Sequence, residues 1–237
     1  MSAAPSSSAV RAAAVILAAG SGTRVGTETN KVLLPLAGVP VLARSVRTVL
    51  DVEGIQRVVL VVRPQDREAV QEAVAPYLGA HDLWVVDGGN QRHDSELRAL
   101  EALASDIDGE EIDVVAIHDA ARPLATADLW AAVLTAAAEH GGAIPVVGAA
   151  HLSHRDGRAA PLGLVAVQTP QAFRARTLLD AHRRAHADGF VGTDTAACLE
   201  RYAEVTVVGV PSTAVNLKVT FPEDLQLAER LLSAPAS

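Results

Sequence analysis

The sequence predicts an α/β fold, a doubly wound and mostly parallel sheet with helices on both faces. Short apolar runs of strand type alternate with segments of helical spacing along the chain. Polar residues gather directly after those runs, where open α/β sheets bind ligands. The 237 residues, 49% hydrophobic and 20% charged, suffice for one sizeable domain or one domain with an insertion.

Residues 1–10 read as a Ser/Ala/Pro-rich disordered tail, and 11–237 as a single domain. Ala14–Leu17 is the first strand, running into Ala18-Ala19-Gly20-Ser21-Gly22-Thr23-Arg24. Pro40–Leu50 is a helix, with Val41, Leu42, Val46, Val49 and Leu50 at helical spacing. Arg57–Val62 is a strand of the kind buried on both faces. Pro64–Tyr77 is a helix, Leu83–Val86 a strand, Arg92–Leu103 a helix and Asp113–Ile117 a strand. Thr126–His140 is a helix and Ala143–Val147 a strand. The rhythm then breaks: residues 148–163 lack periodicity and exceed a normal connection, so an arm is placed at about 148–165. Val165–Gln168 is a strand, Phe173–Ala187 and Thr193–Tyr202 are helices, and Val205–Val210 is a strand. Thr220-Phe221-Pro222-Glu223 reads as a capping box opening a last helix, Glu223–Leu232.

A net charge of −8 and a pI near 5.4 argue against a general nucleic-acid surface. The single cysteine, Cys198, rules out a disulfide framework or a thiolate metal cluster and reads as a small buried hydrophobe. No apolar run approaches a membrane span, and the expected compartment is the cytoplasm.

The first loop reads as a polyphosphate cradle. Small residues let backbone N–H groups approach an anion, while Arg24 and Lys31 supply a planar fork and a point charge. It is not a Walker A loop, because no Gly-Lys pair occurs, and Gly20-x-Gly22-x-x-x-Gly26 misses the dinucleotide fingerprint by one residue. Later strands deliver Gly88, Gly89, Asn90, Arg92 and Ser95, then Asp119 and Arg122, with Thr169, Thr193, Asp194 and Lys218 following. Gly88 and Gly89 suit a flat base lying against bare backbone. Asp119 suits a divalent metal, a sugar hydroxyl or a turn cap. Lys218 is either on a solvated strand face or aimed into the site. His182 and His186, four apart, read as a solvated helix face and not a metal pair. No Gly-x-Ser-x-Gly elbow is present.

These residues resemble a known family. Leu17–Arg24 with Lys31 is similar to the signature of sugar-nucleotide pyrophosphorylases and related nucleotidyltransferases. Asp87-Gly88-Gly89-x-x-Arg92-x-x-Ser95, His118-Asp119-Ala120-Ala121-Arg122-Pro123, Gln168-Thr169-Pro170-Gln171, Thr193-Asp194 and Lys218-Val219-Thr220 are narrower. In that order they resemble the 2-C-methyl-D-erythritol 4-phosphate cytidylyltransferases, from about residue 13 to 232, and lie close to the ribitol-5-phosphate cytidylyltransferases.

The resemblance implies a Rossmann-like nucleotidyltransferase fold with a β-arm. It implies transfer of a cytidylyl group from CTP to a polyol phosphate with release of pyrophosphate, assisted by Mg²⁺. It assigns Arg24, Lys31 and Lys218 to the triphosphate and transition state. Ala18, Ala19, Gly20, Ser21, Gly22, Gly89, Asn90, Arg92, Ser95 and Asp119 fall to the nucleotide, and Asp119, Arg122, Thr169 and Thr193 to the acceptor. Mg²⁺ is held mainly by phosphates, with Asp119 as the protein candidate, and arm exchange implies a homodimer. Three departures touch the acceptor half. Gly148 and Ala149 stand where the family has Asp and Thr, and Pro161 or a neighbour stands for an arm Arg, with Arg155 and Arg158 as candidate substitutes. Thr195 stands where a Glu is expected, and Asn90 where Asp is usual. These changes leave open another polyol phosphate, such as ribitol 5-phosphate, or a nucleotide-binding paralogue without turnover.

Overall fold

The computed structural model describes residues 10–20, 30–149, 161–190, 192 and 194–233. Outside them fall Ser21, Gly22, Arg24 and Thr193, most of the predicted tail, and the arm residues 150–160 with Arg155 and Arg158.

Four parallel strands form the centre: β1 (Ala12–Leu17), β4 (Ile55–Val62), β5 (Trp84–Asp87) and β6 (Val114–Asp119). Leu17 pairs with Val61 and with Asp119, and Val62 with Asp87, so all four strands end along one edge. That alignment brings the loops after them together.

Strand β1 alternates between two cores. Ala12, Ala14 and Ile16 face the side covered by α1 (Val41–Leu50), α2 (Arg67–Val74) and α5 (Ala127–His140). Ala13 and Val15 face α3 (Arg92–Ala102), α6 (Ala175–Ala187) and α7 (Thr195–Tyr202). The all-alanine start of β1, with every residue of Ala12–Ile16 fully buried, lets helices close on both faces.

On the other side of β6 lies β9 (Gln171–Arg174), antiparallel to it, then β7 (Gly141–Gly148) and β10 (Thr206–Pro211). Strand β8 (Val165–Val167) pairs antiparallel with the end of β7, at the root of the arm. A small hairpin, β2 (Pro35–Leu36) with β3 (Val39–Pro40), precedes α1. A short α4 (Ala104–Asp108) follows α3, and α8 (Pro222–Ser233) ends the described chain.

Three expectations need correction. The helix expected over Phe173–Ala187 begins at Ala175, because Gln171–Arg174 is strand β9, wedged between two strands and paired with both. The helix expected over Pro64–Tyr77 is α2 flanked by 3₁₀ turns, Pro64–Asp66 and Ala75–Tyr77, each holding a proline that lacks an N–H. At α8 the cap is shifted by one residue: Asp224, not Glu223, accepts the N–H groups of Phe221 and Thr220, both at 2.8 Å.

Candidate active site

A cleft of about 910 Å³ opens at the carboxyl ends of the parallel strands. Ala18, Ala19 and Gly20 line it after β1, Gly88–Arg92 and Ser95 after β5, Asp119 after β6, with Lys31 and Lys218 completing the wall. Lys218 lies in the segment after β10, which folds back over the β6 loop through a Val219 N–H to Ala121 C=O bond of 2.8 Å. Its position aims the lysine into the site, which resolves the two readings of that residue.

Asp119 is the electrostatic centre. Its side chain is 9% exposed and sits between two cations. Arg92 donates to Oδ1, and Lys218 Nζ donates to Oδ2 at 2.7 Å. Burial alone would raise its pKa, but Arg92 and Lys218 outweigh burial and hold it well below the usual carboxylate range. Burial likewise opposes the Arg92 charge, and Asp119 and Glu96 reverse that and raise its pKa. Asp119 is the one carboxylate lining the cleft among the described residues. Each of its oxygens keeps a lone pair after these bonds, so a phosphate-held divalent cation fits there.

A neutral histidine sets the Asp119 backbone. His118 is fully buried, and burial pushes it down to about 4. Its Nε2 faces the Arg122 carbonyl at 3.1 Å, so Nε2 carries the proton. Nδ1 therefore accepts from the Thr169 hydroxyl at 3.1 Å, and that oxygen accepts the Asp119 N–H at 3.0 Å. Thr169, expected at the acceptor, thus lies beneath the cleft with its hydroxyl engaged on both sides. Arg122 also turns from the cleft wall and donates to the Asn216 carbonyl at 2.7 Å. Asn216 in turn donates to the Gln168 side chain and the Thr169 carbonyl, both at 3.0 Å, tying the β10 return to the β8–β9 turn.

Gly88 and Gly89 line the cleft and are also required by packing within the protein. A Cβ at Gly88 would lie 2.5 Å from the Ala19 Cβ, and one at Gly89 would lie 2.1 Å from the Asp94 Cβ. Contacts within the protein therefore demand these glycines. The Gly89 N–H donates to Ser95 Oγ at 3.1 Å, and that hydroxyl donates to the Gln91 carbonyl at 3.0 Å. Asn90 is exposed at the cleft mouth.

Sequence reasoning missed several groups. Asn30, 2% exposed, donates to the Ala18 carbonyl at 3.1 Å and to Asp66 at 2.8 Å, anchoring the end of β1 to the start of α2. Arg63 and Arg98 add positive charge to the cleft. A strand-end arginine and an isolated helix arginine gave no local signal beyond charge.

His182 corrects the solvated-face reading: it is fully buried, while His186 is exposed. Its Nε2 donates to Glu96 at 2.9 Å and its Nδ1 to the Leu178 carbonyl at 3.0 Å. Burial would lower its pKa, but the Cys198 sulfur and the Glu96 carboxylate raise it to about 9. The ring nitrogens of His93 and His182 and the Cys198 sulfur lie within 4.8 Å of one another, and Cys198 is buried as expected. Both His182 nitrogens are donors, however, so this ring offers no lone pair to a metal.

A cleft at the strand ends, walled by bare backbone and cations around one ionised carboxylate, suits a polyphosphate and is the kind of site a nucleotidyltransferase needs. The profile of the IspD family, 2-C-methyl-D-erythritol 4-phosphate cytidylyltransferase, matches residues 12–234, and the chain belongs to that family. It is 41% identical to the 2-C-methyl-D-erythritol 4-phosphate cytidylyltransferase of Symbiobacterium thermophilum over 94% of this chain and 93% of that one. It is 37% identical to the protein of the same name from Pelotomaculum thermopropionicum, over 94% and 95%. Among solved structures it is similar to 4-diphosphocytidyl-2C-methyl-D-erythritol synthase from Anaerococcus prevotii, with a TM-score of 0.81 at 25% identity over 96% of this chain and all of that one. The Thermus thermophilus cytidylyltransferase gives a TM-score of 0.71 at 27% identity over 93% and 98%. No helix among the described residues is long and apolar enough to cross a membrane.

Proposed function

We propose that this chain transfers the cytidylyl group of CTP to 2-C-methyl-D-erythritol 4-phosphate, releasing pyrophosphate, in the cytoplasm. An oxygen of the acceptor phosphate attacks the α-phosphorus in line. One P–O bond forms, and the bond to the β-phosphate breaks as pyrophosphate leaves. No covalent enzyme intermediate is needed, so the side chains act by positioning and charge stabilisation.

The observation that carries this reading is the Arg92–Asp119–Lys218 bridge in the cleft. It holds two cations at fixed positions, ready for phosphate oxygens, and it costs no reorganisation at the moment of reaction. Lys31 and Lys218 take the triphosphate, joined by Arg24 in this reading. Gly89, Asn90 and Ser95 receive the cytosine. When bound, Mg²⁺ supplies charge neutralisation across the phosphates, with Asp119 as its protein carboxylate.

The acceptor is the less constrained half. Gly148 and Ala149 stand at the root of the arm, and a Cβ at Gly148 would meet nothing within 4 Å, so packing does not require glycine there. The small residues favour, as a second reading, a different polyol phosphate such as ribitol 5-phosphate. Pyrophosphate release from CTP with Mg²⁺ is measured with each acceptor in parallel. Turnover with methylerythritol phosphate is expected. Turnover with ribitol 5-phosphate alone selects the second reading, and CTP binding without turnover on either marks a paralogue that has lost its acceptor site.

A further inference from the structure

We propose that Glu96, backed by His182 and Thr195, is a positioning residue that sets Arg92 on the nucleotide phosphates; this rests on the cytidylyltransferase reading. Glu96 lies on α3, one turn after Arg92, and is 1% exposed. A carboxylate so deeply buried is costly unless each oxygen is bonded. Here Oε1 accepts from Arg92 Nε at 2.7 Å and from the Thr195 hydroxyl at 2.9 Å, and Oε2 accepts from His182 Nε2 at 2.9 Å. Three elements, α3, α6 and α7, therefore converge on one carboxylate.

The consequence falls on Arg92. Among the described residues, one of its N–H groups goes to Glu96 and one to Asp119. Those two bonds fix the plane of the guanidinium. The three N–H groups left over belong to a side chain that lines the cleft and is 29% exposed, so they are available to phosphate oxygens. Without Glu96, Asp119 alone would hold Arg92, and rotation about that contact would misplace the fork.

The arrangement also accounts for one departure from the family pattern. Thr195 stands where a Glu is expected, and its hydroxyl now meets the carboxylate of Glu96. The negative charge between α3 and α7 is supplied from α3 in this chain. The start of α7 is held by the same bond, since Asp194 caps that helix and Thr195 is its first residue.

The test is Glu96→Gln, which keeps the volume and removes the charge. Steady-state kcat and KM for CTP are measured with methylerythritol phosphate and Mg²⁺, beside far-UV circular dichroism, the unfolding midpoint and calorimetric CTP affinity. In a folded variant kcat is expected to fall about 10-fold or more, as for other residues that orient a phosphate ligand or metal ligand. The KM for CTP should rise less than kcat falls, and CTP affinity should weaken. Adding Thr195→Glu to Glu96→Gln returns a carboxylate from the α7 side and should recover most of the lost kcat. A folded Glu96→Gln with kcat, KM and CTP affinity within about two-fold of wild type overturns the proposal. So does a kcat loss that only tracks the folded fraction and is not rescued. Should the wild-type chain itself release no pyrophosphate, the cytidylyltransferase reading fails, and the CTP affinities of wild type and Glu96→Gln still decide whether Glu96 holds Arg92.

Discussion

At the scale of single residues, the molecule keeps its unusual charges in adjoining buried pairs. Asp119 is ionised because two cations hold it, and His182 is protonated because both its nitrogens meet acceptors. The second has a consequence for stability. A histidine whose folded pKa stands at about 9, above its ordinary 6.5, contributes stability that is complete below pH 6.5 and is lost as pH rises through 9. The groups facing it are Glu96 and His93 on α3 and Cys198 on α7. Of these, Glu96 stays ionised throughout that window, because His182 and Arg92 outweigh its burial and lower its pKa. Burial and the His182 charge lower His93, which stays neutral. Urea midpoints of the wild type should therefore drop between pH 6.5 and 9.5. His182→Gln should be less stable at pH 6.5 and show a shallower drop over that range, and parallel curves would refute this account.

At the scale of elements, what was legible followed from whether the signal was local. The parallel strands β1, β4 and β6 announce themselves as continuous β-branched or alanine runs, because burial on both faces selects such residues, while the terminal strand β5 is short and only partly buried. The glycine loop, Gly88–Ser95 and Asp119 were visible because each directly follows one of these strands. Strand β9 was not visible. Its four residues run without a break into the pattern of α6, and what makes them a strand is the row of backbone partners on β6 and β7, far away in sequence. Glu96 and His182 were hidden likewise, since a carboxylate and an imidazole on separate helices look solvated until the fold seals them together. The α8 cap lies between these cases, because the acid was expected but one place early. Asp224 carries the bonds to Phe221 and Thr220, so Asp224→Ala should cost about 1 kcal/mol and lower the melting temperature by about 2–4 °C. Glu223→Ala should cost much less, and the reverse order would restore the original cap.

At the scale of the whole molecule, strand β8 stands at the margin of the sheet, with apolar side chains exposed around it among the described residues. Strand β8 pairs with β7 on one side, and around it Leu162, Leu164, Val165 and Val167 are all exposed, between 43% and 102%. Four large apolar side chains on and just before a short edge strand mark an association surface, because proteins that stay monomeric blunt such edges with charge or proline. The occupant to test is a second copy of the chain, because the family resemblance implies a homodimer. Light scattering at micromolar concentration should then give about twice the 24.6 kDa chain mass. Leu164→Lys with Val167→Lys puts two like charges on that edge and should return the mass to one chain while leaving the parallel core of the sheet untouched. If the partner's arm also completes the acceptor half of the site, the same double variant should keep CTP affinity and lose turnover, because Asp119, Arg92 and Lys218 all belong to one protomer's cleft. A monomeric wild type would overturn the association itself, and a charged variant that still dimerises would move the association surface elsewhere on the molecule. A monomeric variant with full turnover would show instead that each cleft binds its acceptor without help from its neighbour.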